Sequence, residues 1–230
     1  MTRLQAEFIL TSLKRELPID ETKFTILKGE DPFELLIATV LSQNTSDRNS
    51  MKALKILKEK VGVDQSSLLR ANLADIEAAI KVGGLYHNKA RTIKSLASKF
   101  HGFNWSSMDN MTQKDLREFL LGLPGIGPKT ADIFLLFYAK LGAFPVDTHI
   151  SRVSKRLGIA HDGDGYEETT DALKRFFSPG DYRLAHLELI ALGRRFCRAR
   201  YPLCDECPLR GVCPSAFKLS KHHRARLSRH

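Results

Sequence analysis

The chain contains no apolar run of the roughly 20 residues that a membrane-spanning helix requires. Its opening, Met1-Thr2-Arg3-Leu4, carries no signal-peptide pattern. A membrane or secreted protein is therefore not expected, and the default compartment is the cytoplasm, nucleoid-associated in a prokaryote. Acidic side chains are in short supply: 26 Asp+Glu face 36 Lys+Arg, for a formal net charge of +10. That surplus fits a polyanionic partner, nucleic acid before a membrane surface. There is one tryptophan, Trp105, for which a place in the core or at a domain joint is expected. Cysteine is scarce as well. All four, Cys197, Cys204, Cys207 and Cys213, fall in one short segment spaced C-x6-C-x2-C-x5-C. A reducing cytosol disfavours disulfides. Four thiolates at such spacing suit either a tetrahedral zinc ion or a [4Fe–4S] cluster, and spacing alone does not choose between them.

What is present is organised around Leu123-Pro124-Gly125-Ile126-Gly127-Pro128-Lys129-Thr130. Residues 112–121 before it place apolar side chains at helical spacing behind Thr112, a cap candidate. Pro128 suits the first position of a second helix, where its missing N–H costs nothing. That helix, through Ile133-Phe134-Leu135-Leu136-Phe137, is apolar nearly all round and should be buried. Gly125 and Gly127 permit a tight turn and expose backbone to a ligand. The free N–H groups of the helix start make a candidate phosphodiester site. An ordinary helical joint would look similar but for Lys129, because the helix dipole disfavours a cation there. The same field, with any desolvation, pushes a lysine pKa down, whereas neighbouring phosphates push it up. An unperturbed lysine, at pKa ~10.4, is only roughly 0.04% free amine at pH 7. A lowered pKa near ~8 would raise that to about 10%, enough for a Schiff-base nucleophile.

Elsewhere the pattern is helical. Residues 3–17 read as an amphipathic helix. Asp31 and Pro32 open a strongly apolar one that runs to about residue 42. A polar break, Ser42-Gln43-Asn44-Thr45-Ser46-Asp47, separates it from a lysine-bearing helix ending near residue 61. Shorter helices fit residues 65–70 and 73–81. Gly83-Gly84-Leu85 is a second glycine turn leading into a helix, and Leu85 either packs inward or stands exposed on it. Lys89, Arg91 and Lys94 beyond it read as phosphate contacts or a solvated face. Asp147 precedes a helix over residues 148–157 and has the position of an N-cap. His161-Asp162-Gly163-Asp164-Gly165 is read as a turn, because Leu173 stands where a calcium loop needs an acid. Residues 217–230 carry Lys218, Lys221, Arg224, Arg226 and Arg229 without one acid, as a nonspecific nucleic-acid arm would.

At four places the chain resembles the endonuclease III family of DNA glycosylases. LPGIGPKTA looks like that family's helix-hairpin-helix motif, and Val146-Asp147-Thr148-His149-Ile150 resembles its catalytic-aspartate motif. Pro32-Phe33-Glu34-Leu35-Leu36-Ile37-Ala38 resembles the opening of its helical domain, and the cysteine spacing matches its cluster loop. The resemblance implies an all-α protein of two domains, residues 25–141 and residues 1–24 with 142–213, followed by a basic tail over 214–230. It implies a [4Fe–4S] cluster on Cys197, Cys204, Cys207 and Cys213, and a monomer that binds damaged duplex DNA in the groove between its domains.

The resemblance also implies roles. Lys129 is the expected nucleophile and Asp147 the expected catalytic carboxylate. Gln43 or Asn44 is expected to fill the space left by the extruded base, although both could instead cap the helix starting near Thr45. Leu85 is the expected wedge. Gly125, Gly127, Thr130, His149, Arg198 and Arg200 are expected at the DNA. The implied reaction is bifunctional: a damaged, oxidised pyrimidine is excised and the abasic strand is cleaved by β-elimination. Two alternatives are a monofunctional mismatch glycosylase, which has a residue such as Tyr or Ser where Lys129 stands, and a non-catalytic DNA-binding protein of the same fold.

Overall fold

Caps and prolines decide where the helices begin. The structure, a computed structural model, describes residues 3–20, 24 and 31–218. All regular elements among those residues are helical: α1 (Arg3–Glu16), α2 (Pro32–Ser42), α3 (Asp47–Lys60), α4 (Gln65–Arg70), α5 (Leu73–Ile80), α6 (Tyr86–Phe100), α7 (Gln113–Leu121), α8 (Pro128–Phe137), α9 (Thr148–Leu157), α10 (Tyr166–Phe176) and α11 (Tyr182–Arg195). At α2 the Asp31 side chain accepts the Glu34 N–H and Pro32 occupies the first turn. At α7 Thr112 accepts from Asp115 N–H. None of the described helices is long and apolar enough to cross a membrane. Residues 219–230, and with them most of the expected basic arm, lie outside the described residues.

The chain divides into two compact units, Asp20–Leu141 and Met1–Ile19 with Gly142–His230. In the first, α2 and α8 are buried on almost every side. A fully buried Leu or Ile contributes about 1.5–3 kcal/mol, so these two helices anchor the unit. Their few charges are neutralised. Glu34 of α2 pairs with Lys58 of α3. Asp132 of α8 accepts from Arg117 of α7 at 2.7 and 3.4 Å, which ties together the two helices flanking the glycine hairpin. Trp105 stacks on Phe100 at 4.7 Å and meets Phe103 edge-on, in a cluster with Phe119. It is only half-buried and covers the edge of this unit's core.

In the second unit α11 packs against α9 and α1. The approach to α9 requires a glycine: a Cβ on Gly193 would lie 2.9 Å from the His149 Cβ. Glu188 of α11 is 1% exposed, and desolvation, opposed by Lys14, pushes its carboxyl up to about 7. It is thus largely protonated below neutrality, and the core carries no full charge there. The segment 161–165 is a turn, as expected, closed by His161 N–H donating to Asp164 and by Lys155 donating to the Asp162 and Asp164 carbonyls.

Candidate active site

The hairpin between α7 and α8 turns at Gly125, whose φ is +73°. A Cβ there would also lie 2.6 Å from the Thr92 Cγ2 of α6, so both the backbone and the space demand glycine. Leu123 and Ile126 are buried and pin the turn, while Gly125, Gly127 and Pro128 face solvent. Gly127 occupies the cap position of α8, where no side chain caps the first turn. Lys129 follows in that turn and is half-buried. Thr130 is buried.

Gln43 reaches this hairpin from the end of α2. Its side-chain amide donates to the Gly125 carbonyl at 3.1 Å and to the Thr130 hydroxyl at 3.2 Å. Asn44, next to it, is exposed and has left-handed backbone, φ 51°. Neither residue caps the following helix. α3 starts at Asp47, and Ser46 is its cap, accepting the Asn49 N–H. The capping alternative for Gln43 and Asn44 is thereby corrected: the polar break is one residue pair longer than a cap at Thr45 needs.

Leu85 is 56% exposed and stands in left-handed conformation, φ 49°, ahead of α6. It is not a core residue. The lysines beyond it do not form the solvated or phosphate-facing row expected from the sequence. Lys89 is 3% exposed, and its ammonium donates to the Leu41 and Gly83 carbonyls. Lys94 donates to the carbonyls of Leu69 and Ala71. The reason is periodicity: Lys89 lies on the same stripe of α6 as the buried Ile93, Leu96 and Phe100. Arg91 alone remains exposed.

In the other unit Asp147 is the N-cap of α9, one oxygen accepting the Ile150 N–H at 2.7 Å. That leaves the second oxygen outside the cap. Asp147 lines an open depression of about 510 Å³ with Thr148, Ser151, Arg152 and Tyr166. His149 is half-buried, and its Nδ1 lies 3.1 Å from the Arg152 guanidinium. Desolvation pulls its pKa down, with the Asp147 charge opposing and Arg152 and Arg194 reinforcing. A neutral imidazole can accept a hydrogen bond from Arg152, which is a role the sequence did not suggest.

The four cysteines line one cavity together with Val153, Arg156, Leu157, Phe196 and Leu209. No three His, Cys, Asp or Glu side chains among the described residues gather closely enough for a single metal ion. Burial pushes the Cys207 thiol up to about 11, and burial and the neighbouring sulfurs raise Cys204 and Cys213. Four ionised sulfurs would be stable there only around a positive group, so the donor set fits a thiolate-bound cluster. Two arginines of α9 bind the loop. Arg152 donates to the Cys197 carbonyl at 2.8 Å; Arg156 approaches the Cys197 sulfur and donates to the Arg198 and Ala199 carbonyls. These were missed in the sequence. The available signal was the shared face of His149, Arg152 and Arg156 on one helix. Arg198 and Arg200 are exposed on the loop.

Residues 37–179 match the HhH-GPD superfamily of base excision DNA repair proteins. Endonuclease III of Sulfolobus acidocaldarius is 37% identical over 213 residues, which are 90% of this chain and 95% of that one. This chain belongs to the endonuclease III family. Two solved structures of endonuclease III, a non-covalent DNA complex and a trapped covalent DNA intermediate, align with TM-scores of 0.81 and 0.80 at 32% identity. They cover 96% and 95% of this chain and 99% and 98% of theirs. Membership in the endonuclease III family bears out the all-α architecture and the expected enzyme class, a DNA N-glycosylase with abasic-site lyase activity in base excision repair.

Proposed function

We propose that this enzyme excises damaged pyrimidines, oxidised ones foremost, from duplex DNA, with Lys129 as nucleophile and Asp147 as catalytic carboxylate. The observation that carries the reading is Lys129 itself: a half-buried amine in the uncapped first turn of α8, beside the solvent-facing glycines of a helix-hairpin-helix. The backbone N–H groups of that turn suit a phosphodiester. The Lys129 amine attacks C1′ of the extruded nucleotide, the C1′–N bond breaks, and the base leaves with its bonding electrons and takes up a proton. Ring opening yields the Schiff base. Loss of a C2′ proton then expels the 3′-phosphate, cutting the strand 3′ to the lesion. The Asp147 carboxylate is suited to stabilise the positive charge that develops on the sugar as the base departs. Leu85, exposed on its turn, is suited to unstack the base step, and Gln43 and Asn44 to fill the vacated space. Arg198 and Arg200 are suited to phosphates.

The lesion class is tested by a panel of duplexes, each with one defined lesion. Thymine glycol and 5-hydroxycytosine should be cleaved at least about tenfold faster than a duplex with a T·G mismatch or 8-oxoguanine, the smallest gap that a single pocket methylene gives. Equal rates on the mismatch would move the specificity to another class.

Cys197, Cys204, Cys207 and Cys213 are proposed to hold a [4Fe–4S] cluster. Bound there, such a cluster would cross-link the loop that presents Arg198 and Arg200. Protein purified without oxygen should be brown and contain about four irons per chain. Stoichiometric zinc in colourless protein never exposed to oxidant would overturn this assignment.

A further inference from the structure

Lys89 is a buried cation whose ammonium meets only neutral carbonyls, the Leu41 carbonyl at 2.8 Å and the Gly83 carbonyl at 2.9 Å. Its backbone N–H donates in turn to the Leu85 carbonyl at 3.0 Å. Burying an ammonium without a counter-ion is costly, and a methionine would fill similar volume without that cost. The choice of partners gives the charge a use. The Leu41 carbonyl is one of the last-turn acceptors of α2, which have no partner within the helix. Gly83 and Leu85 are the two sides of the exposed turn. One residue thus grips that turn on both sides and fastens it to the end of α2.

The end of α2 is itself fastened. Two residues past Leu41, Gln43 donates to the Gly125 carbonyl and the Thr130 hydroxyl, next to Lys129. Leu85 in turn sits in a left-handed backbone conformation that leucine rarely adopts, so the surrounding contacts must hold it there. The connected path runs from Leu85 through Lys89, the α2 terminus and Gln43 to the hairpin, all within Asp20–Leu141.

We propose that Lys89 is a positioning residue that holds the Leu85 wedge in register with Gln43 and the Lys129 hairpin, so that unstacking and nucleophilic attack act on the same nucleotide. This rests on the reading of Leu85 as the wedge. Lys89 touches no substrate and acts through Leu85.

The test compares single-turnover strand cleavage at one abasic site in a duplex and in a single-stranded oligonucleotide of the same sequence. A single strand needs no wedge, so the duplex-to-single-strand rate ratio isolates this function from general damage. Leu85→Ala and Lys89→Met should each lower that ratio about tenfold, as unstacking then loses its help. The double variant should fall no more than about threefold below the worse single one, because the two changes break one device. Independent sites would instead multiply to about a hundredfold. An unchanged ratio in Leu85→Ala would refute the wedge reading. A lowered ratio in Leu85→Ala with an unchanged one in Lys89→Met would refute the positioning role alone. Equal slowing of Lys89→Met on both substrates would make Lys89 merely structural, and multiplicative loss in the double variant would separate it from Leu85. If Lys89→Met does not fold, Lys89→Gln decides by the same ratios, since its amide retains donors on a stem too short to reach both carbonyls.

Discussion

Lys129→Gln abolishes borohydride trapping of the protein on damaged or abasic duplex and lowers strand cleavage at least about a thousandfold, as removal of a nucleophile does. The variant still binds damaged duplex, since the hairpin backbone and Gln43 are untouched and glutamine keeps length and a hydrogen-bond donor. Folding is not at risk. Lys129 is half-buried in the first turn of α8, and its side chain is held by none of the contacts that pin the hairpin. A cation in that turn opposes the helix dipole, so its removal should raise stability slightly, by about 0.3–1 kcal/mol at low salt. Loss of activity together with an unchanged or higher Tm is the signature of a catalytic lysine. Trapping that survives the substitution would reassign the nucleophile to another amine.

Asp147→Asn separates two jobs of one side chain. One carboxylate oxygen caps α9 by accepting the Ile150 N–H. Asparagine caps a helix about as well as aspartate, so stability should barely change, whereas Asp147→Ala should cost about 0.5–2 kcal/mol. The negative charge is the other job. Its loss removes stabilisation of the positive sugar as the base leaves. On a duplex with an intact damaged base, excision should slow about a hundredfold, corresponding to ~3 kcal/mol. A pre-formed abasic site already offers an aldehyde, so cleavage there should fall much less. Equal losses on both substrates would leave the helix cap as the whole role of Asp147. The charge also bears on its neighbour: Asp147 raises the His149 pKa against the desolvation that lowers it. The Asn variant should therefore show His149 titrating at still lower pH by NMR.

The local motifs were legible because their physics is local. A cap, a proline in the first helical turn, two glycines and a lysine in sequence specify the hairpin and the start of α8 with no help from the rest of the chain. Likewise the spacing of the cysteines, and the absence of any other cysteine, made them candidates for one common ligand. Asp147 was legible as a cap because capping involves residues three apart.

What tertiary structure alone decided is where side chains of ambiguous character point. Lys89 and Arg91 are two residues apart and chemically alike, yet one is buried among carbonyls and the other meets solvent. The phase of α6 against its neighbours settles this, and one acceptor of Lys89 lies 48 positions away in the chain. Gln43 gained hydrogen-bond partners only from the hairpin, more than 80 residues later in the chain. His149 gained a task only when Gly193 let α11 close on α9 and Arg152 bridged the two. Leu85 could have packed inward; a left-handed backbone held from both sides by Lys89 keeps it out. Sequence determines which groups a segment can offer and how often a face recurs. Desolvation and hydrogen-bond partners come from chain segments that are distant in sequence, and those decide whether a charge is spent inside the protein or remains available to DNA.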